Sequence, residues 1–315
     1  MRSISHVWKK VLSIGAAVLL VVGTCAGCAK VEKNITVVVR EQGSGTREAF
    51  DTVVSDGTHK LEEKDADGKK VYNTTNTAIQ QTKTGTVLTA VASDVNAIGY
   101  ISLGSVNDSV RAIRVGGVVP SESTVLDGSY KIQRPFVVMT RHGQTLTPRV
   151  ADFMNYLHSE ASRGFAEEAG CIFLADPARR ANSGAEPIAV SEYTKPAALP
   201  AGDKIVVRGS TSMEKFINAA AKGYAAQFGV GAEQIFDIQL EGSSVGRKAV
   251  EQDTTGNVIG LSSAAVVQDT VDSFNVCADA VAVIVNRDNT SVDDLTLAQL
   301  YDIFSGKITK FSELK

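Results

Sequence analysis

Histidine and cysteine are scarce in this chain, four of each in 315 residues. The histidines (His6, His59, His142 and His158) are scattered, and no Cys/His spacing follows a metal-ligand pattern. No metal centre and no cofactor is therefore expected. Charge of one sign is lacking too. The 32 Lys and Arg against 35 Asp and Glu leave a net charge of -3, and no basic stripe stands out, which argues against nucleic acid as the main partner. A small anion is not excluded, because a local site outweighs net charge at contact distance. Proline is sparse, at 7 residues, while Gly reaches 27. With 43% hydrophobic and 21% charged residues the composition is that of a soluble globular protein. Its length suits two ordinary domains or one large one. The N-terminal apolar run, Val11 to Gly23, is too short for a comfortable membrane span.

That run follows a basic segment with Arg2, Lys9 and Lys10 and ends in Cys25-Ala26-Gly27-Cys28, which is the pattern of an export signal. The small residues before Cys28 resemble the bacterial lipobox. The resemblance implies a signal peptide over 1–27, with Cys28 as the lipidated first residue of the mature chain. An ordinary signal peptide or an uncleaved anchor is the alternative. Residues 28–34 would be a short tether, holding the folded body close to the extracytoplasmic face of the cell membrane. Cys171 and Cys277 sit beside apolar runs, so either a disulfide or two buried thiols fits an exported chain.

The most informative stretch is Ile35 to Phe50, ITVVVREQGSGTREAF. Ile35 to Val39 is apolar and β-branched, as in a buried strand. It stops at Arg40, turns through Ser44-Gly45-Thr46 and opens a helix at Arg47. A strand, a glycine turn and a helix N-terminus form an anion seat. Unpaired N–H groups point out of the turn, and the helix dipole adds roughly half a positive charge. Arg40 adds a planar fork of donors suited to a tetrahedral oxyanion. A similar motif recurs at Lys204 to Phe216, KIVVRGSTSMEKF.

Along the chain, Ser55 to Asn76 reads as a polar surface excursion and Thr77 to Val91 as a helix. Val150 to Ala169 has one apolar side through Val150, Phe153, Met154, Leu157 and Phe165, as in an amphipathic helix. Residues 176–203, rich in Pro, Ala, Ser and Gly, read as a surface linker. Thr211 with Glu214 fits a capping box. Ile235 to Leu240 and Val258 to Leu261 are strands that lead into Gly242-Ser243-Ser244 and Ser262-Ser263. Alternating strands and helices predict an α/β fold with mixed or mainly parallel sheets, and such sheets bind ligands at the carboxyl ends of their strands.

These segments resemble the phosphate-binding proteins of bacterial phosphate-specific ABC transporters, the PstS-like family. The resemblance rests on REQGSGT, AIGYISLG, GSYKIQRPF, GSTSMEKF, EGSSVGRKAV, VIGLSSAAV, AVAVIVNRDN and LTLAQLYDIFSGKITKFSEL, and covers nearly the whole mature chain. It implies a two-lobed, type II periplasmic-binding-protein-like fold with mixed sheets flanked by helices and a ligand cleft between lobes. The implied ligand is inorganic phosphate. The implied partner is an ABC permease, with the protein a monomer and not an enzyme. Carried over position by position, Arg40, Ser44, Gly45 and Thr46 come from the smaller lobe, and Thr211, Ser212, Ser243 and Ser263 from the larger one.

The order of the halves departs from the family, where the GSTS half comes first. Circular permutation is the simplest account, and half-repeats of a longer tandem array the alternative. It implies two continuous lobes, 35–132 and 133–315, with one hinge strand interrupted by the chain termini. Two residues also depart from the pattern. Some members carry Asp where Ser263 stands, and some carry Asp at the position of Gln42; Glu41 and Glu241 are the nearest carboxylates.

Each site residue has a plainer reading. Ser44, Thr211 and Ser243 could be helix caps, Arg40 a surface ion-pair residue, Arg47 solvated, and Gly45 a positive-φ position. Two other functions stay open. GSSVG, Gly242 to Gly246, formally matches a serine-hydrolase elbow with Ser244 as nucleophile, but the last histidine, His158, precedes it, against that fold's order. A sensor or surface protein that keeps the fold is the other.

Overall fold

The computed structural model describes residues 34–170, 172 and 192–314. The expected signal peptide, Cys28, Cys171 and the 176–191 part of the linker lie outside the described residues.

The first half opens with strand β1 (Thr36–Arg40) and helix α1 (Gly45–Val53), as its motif predicts. A hairpin of β2 (Glu62–Lys64) and β3 (Lys70–Tyr72) fills the polar excursion. The helix expected over Thr77 to Val91 begins only at Thr84. Before it, β4 (Ile79–Gln81) pairs in parallel with β1, and α2 spans Thr84–Ser93. Then come β5 (Ala97–Ser102), β6 (Val110–Ala112), β7 (Arg114–Val115) and α3 (Glu122–Leu126).

The second half follows with β8 (Gln133–Arg141), α4 (Pro148–Leu157) and α5 (Arg163–Glu168). The single helix expected over Val150 to Ala169 is two helices. Between them the Ser159 hydroxyl accepts from the Ala161 N–H and the Ser162 hydroxyl donates to the Leu157 carbonyl, so side chains compete with the helical ladder and break it. The alternation resumes with β9 (Ile205–Gly209), α6 (Glu214–Ala226), α7 (Ala232–Ile235), β10 (Phe236–Leu240), α8 (Ser243–Glu251) and β11 (Val258–Ser262). The chain closes with the long β12 (Val271–Asn286), β13 (Asp294–Leu295) and α9 (Leu297–Phe304).

Nine strands join one mixed sheet in the order β10-β9-β11-β8-β12-β5-β1-β4, with β6 also on β12. β9 pairs in parallel with β10 and β11, and β1 in parallel with β4 and β5. The centre is antiparallel: β12 pairs with β8 up to Ala280 and with β5 from Val281 on. This is the mixed α/β architecture the sequence predicts.

The packing divides differently from the expected 35–132 and 133–315. One apolar core unites Val37, Phe50, Ile98, Tyr100 and Ile132 with Val281, Val285, Leu300, Phe304 and Phe311. Phe50 stacks on Tyr100 with ring centroids 4.1 Å apart, and Phe304 leans on both. Such aromatic contacts are worth about 0.5–1.5 kcal/mol each beyond area burial, which ties the C-terminal helix to the N-terminal half. A second core holds Phe136, Val150, Phe153, Ile205, Phe216, Tyr224, Ile259 and Cys277. The first lobe's core is therefore built from residues 34–132 and 278–314 together with Ile172, and the second's from residues 136–277. The chain crosses between them in β8 and β12, and neither strand is interrupted. The two described ends meet within the first lobe, where the Ile35 N–H donates to the Thr309 carbonyl at 2.7 Å.

Candidate functional site

The carboxyl ends of β1, β9 and β11 meet where the two lobes touch. β1 delivers Arg40, whose side chain is only 2% exposed, so the surface reading fails. Its backbone N–H donates to the Tyr100 hydroxyl at 3.3 Å. Its guanidinium is held on one edge by Glu41, with Nε to Oε2 at 2.9 Å and Nη2 to Oε1 at 2.8 Å. Nη2 also donates to the Thr82 carbonyl at 3.2 Å, and Nη1 reaches the Thr84 hydroxyl at 3.4 Å. The supporting carboxylate thus comes from Glu41, and it points at the arginine, not to solvent.

Arg47 is neither solvated nor in the hydroxyl cluster. It is buried, its Nε donates to Asp51 Oδ2 at 2.9 Å, its Nη2 to the Thr74 hydroxyl at 3.1 Å, and its Nη1 to the Arg40 carbonyl at 2.8 Å. It braces the strand end that carries Arg40. Asp51 has one oxygen on Arg47 and the other, Oδ1, buried without a partner. Burial pushes this carboxyl up to about 6 against the pull of Arg47.

The turn after β1 divides its duties. Gly43, not Gly45, takes the positive φ, at +88°. Ser44 caps α1, its hydroxyl accepting from the Arg47 N–H at 3.4 Å. Gly45 already belongs to the helix and is there for close approach: a Cβ would lie 2.6 Å from the Ser263 carbonyl carbon and 2.8 Å from the Ala264 nitrogen.

From the second lobe, β9 leads into a 3₁₀ turn over Thr211–Met213. The expected Thr211–Glu214 capping box does not form. Ser210 caps instead, its hydroxyl accepting from the Ser212 N–H at 3.3 Å, which leaves the Thr211 and Ser212 hydroxyls for the cleft. Thr46 Oγ1 lies 3.0 Å from Ser212 Oγ, and Thr211 Oγ1 lies 3.1 Å from Thr84 Oγ1. Ser243 is the first helical residue of α8, not its cap; the cap is Gly242 at φ 144°, which has no side chain to offer. The Ser243 hydroxyl accepts from the Ser263 N–H at 3.1 Å, and the Ser210 hydroxyl donates to Ser263 Oγ at 2.8 Å.

All eight residues singled out from the sequence are brought to one place, seven of them with polar side chains at 7% exposure or less. Sequence reasoning missed Glu41 as the arginine's clamp, and it missed Ser210 and Thr84. Ser210 was legible as the first hydroxyl of GSTS. Thr84 carries no local signal beyond a helix start. Ser244 is exposed beside Gly43, its N–H donating to the Gly43 carbonyl at 3.2 Å, and His158 lies tilted against Phe274 with ring centroids 4.6 Å apart. Neither position suggests a nucleophile and its base. Among the described residues no group of His, Cys, Asp and Glu could hold a metal ion, and no helix is long and apolar enough to cross a membrane.

Two lobes joined by two strands, with a buried hydroxyl cluster and Arg40 at their seam, define a clamp-type binding protein. The PBP superfamily domain matches residues 23–161 and 194–314. The chain is 35% identical over 284 residues to the phosphate-binding protein PstS 2 of Streptococcus pneumoniae serotype 4, covering 89% of this chain and 88% of that one. It is 32% identical over 307 residues to phosphate-binding protein PstS 2 of Streptococcus agalactiae serotype V, covering 94% of each. The crystal structure of a phosphate ABC transporter phosphate-binding protein from S. pneumoniae TIGR4 superposes with a TM-score of 0.63 at 35% identity, covering 90% of this chain and 100% of that one. The chain belongs to the PBP superfamily, and within it stands with relatives that carry the name phosphate-binding protein. Alignments of this length run through both halves in sequence order, so these relatives share the order found here.

Proposed function

We propose that this chain is an extracytoplasmic solute-binding protein that captures inorganic phosphate and delivers it to an ABC permease. The observation that carries this reading is the donor excess at the seam. Thr46, Ser212, Thr84 and Thr211 form a chain of three O···O contacts at 3.0, 3.4 and 3.1 Å. Each hydroxyl donates once, so three contacts use three protons and a fourth is left over. Arg40 Nη1 and the Thr84 N–H donate into the same cluster. The carboxylate on the arginine's other edge, Glu41, is occupied by Arg40. Such a site lacks an acceptor, and a tetrahedral oxyanion supplies four.

Arg40, Ser44, Gly45 and Thr46 would bind phosphate from the first lobe, and Thr211, Ser212, Ser243 and Ser263 from the second. Gly45 would act through its backbone N–H at the α1 N-terminus, where the helix dipole favours an anion, and Ser44, whose own N–H donates to the Glu41 carbonyl at 3.2 Å, by capping that helix. Binding draws the lobes together about β8 and β12, and the closed form docks on the permease. Cys28 lipidation would keep the protein, a monomer, at the outer face of the membrane. The protein acts by capture and release, without turnover.

Isothermal titration of the mature chain tests this. Phosphate should bind one to one. Heat with sulfate or molybdate and none with phosphate would remove phosphate from the reading.

A further inference from the structure

Thr84 opens helix α2, and its surroundings are unusual for a helix start. The preceding residue, Lys83, makes no side-chain cap to the helix, since a lysine ammonium has no acceptor. The Thr84 N–H donates instead to Thr211 Oγ1 of the opposite lobe at 3.2 Å. Its own hydroxyl lies 3.1 Å from Thr211 Oγ1 and 3.4 Å from Ser212 Oγ, and accepts from Arg40 Nη1 at 3.4 Å. Thr84 is 6% exposed. It stands inside the donor-rich hydroxyl chain and touches Arg40 together with the Thr211 and Ser212 hydroxyls of the opposite lobe.

We infer that Thr84 is a further ligand of the captured oxyanion and the first lobe's latch on the second. The assignment rests on the proposed phosphate capture. The first lobe then presents two helix N-termini to the anion, those of α1 and α2. In the structure Thr211 Oγ1 accepts from the Thr84 N–H. When an oxyanion enters, the Thr84 N–H and hydroxyl turn to its oxygens, and Thr211 turns with them. Both lobes gain an acceptor they share, and each hydroxyl that now points at another hydroxyl points at a charged oxygen. Hydrogen bonds to charged groups are stronger than neutral ones, so the exchange favours closure. Because the latch forms only with both lobes together, its loss acts on escape of the ligand and leaves entry unchanged.

The test compares Thr84→Val, which keeps the shape and removes the hydroxyl, with Thr84→Ser, which keeps the hydroxyl. Thr89→Val, exposed on the same helix, is the control. All are made in the full chain and titrated with inorganic phosphate by calorimetry, with dissociation followed by stopped flow. Thr84→Val should weaken phosphate roughly 10-fold, as loss of a hydrogen bond to a charged group implies. The loss should lie in the dissociation rate, measured at a temperature where both proteins are folded. Thr84→Ser should restore most of the affinity, and Thr89→Val should bind as the parent does. A Thr84→Val protein that binds phosphate within about twofold of a binding parent overturns the assignment alone. A Thr84→Ser protein as weak as Thr84→Val also overturns it, since the methyl group and not the hydroxyl would then matter. A parent that binds no phosphate overturns the capture reading and the latch together.

Discussion

Arg40 and Glu41, neighbours in sequence, form a two-pronged ion pair across one edge of the guanidinium, at 2.8 and 2.9 Å. The pair fixes the arginine's plane, and Nη1 is left facing the cross-lobe hydroxyls. Arg40→Ala should weaken phosphate about 10- to 100-fold, from the 1.5–3 kcal/mol of a hydrogen bond to a charged group. Glu41→Gln keeps the arginine but frees its plane, and should cost less. Calorimetric titration of both variants checks the ranking; a Glu41→Gln loss as large as that of Arg40→Ala would make the carboxylate itself part of the anion's environment.

The two arginines of the motif should fail in different ways. Arg47 is paired with Asp51, with side-chain exposures of 7% and 1%. Removing one partner of a buried ion pair costs about 3–5 kcal/mol, because the other charge is stranded. Arg47→Ala should therefore lower the melting temperature well below that of Arg40→Ala, while Arg40→Ala loses more affinity at a temperature where both are folded. Denaturant melts beside phosphate titrations separate the two effects.

Asp51 gives the fold a pH dependence with a definite sign. Its carboxyl is raised from 3.8 to about 6 in the folded chain. A group that holds its proton more tightly when folded stabilises the fold below its unfolded value, and that contribution is lost as pH rises through the folded one. The expected loss between pH 4 and 7 is on the order of 2–3 kcal/mol. Asp51→Asn removes the titration, so its unfolding free energy should lack this fall. Urea melts at several pH values measure the difference in slope; parallel slopes would show an Asp51 that stays ionised.

Gly45 tests closure. Its backbone is helical, so Gly45→Ala should not harm α1, where Ala is favoured over Gly by about 1 kcal/mol. The added Cβ would meet the Ser263 carbonyl carbon at 2.6 Å and Ser263 Oγ at 2.7 Å in the other lobe. Backbone cannot yield there as a flexible side chain would. The variant should fold normally and bind phosphate weakly, with a radius of gyration by X-ray scattering that stays larger with phosphate than the parent's. Normal affinity would mean that the lobes approach less closely in the bound state.

Where the chain crosses between lobes, Arg134 of β8 donates to Asp279 of β12 at 2.9 and 3.1 Å and to the Ser263 carbonyl at 3.3 Å, while the Ser102 hydroxyl of the first lobe donates to Asp279 at 2.9 Å. This network joins the hinge to the wall of the cleft. Arg134→Leu should destabilise by about 3–5 kcal/mol, and adding Asp279→Leu should recover much of that loss, because a pair of apolar residues strands no charge. Urea unfolding of the single and double variants checks both steps.

Much of the site was legible because strand, turn and helix start follow one another within a few residues. Ile35 to Val39 is β-branched, Ser44 is a natural cap, and GSTS repeats the pattern. What the sequence hid is what depends on long-range pairing. Glu41 and Glu241 are both carboxylates near the motifs, and only the path of the turn brings Glu41 onto Arg40. Thr84 was absorbed into an expected helix because Ile79 to Gln81 has no strand signal of its own; its strand exists through pairing with β1. The lobe boundary was misplaced because Ala280 to Val285 reads as an ordinary core strand. It continues the longer β12, which passes from one core at Cys277 to the other at Ala278, and no local pattern reveals that change.

The most direct measurement is a crystal structure of the mature chain grown with inorganic phosphate. The expected result is one tetrahedral anion within hydrogen-bond distance of Arg40, Thr46 and Thr84 of the first lobe and of Thr211, Ser212 and Ser243 of the second. An anion held by one lobe alone, or seated away from Arg40, would contradict the two-lobed clamp.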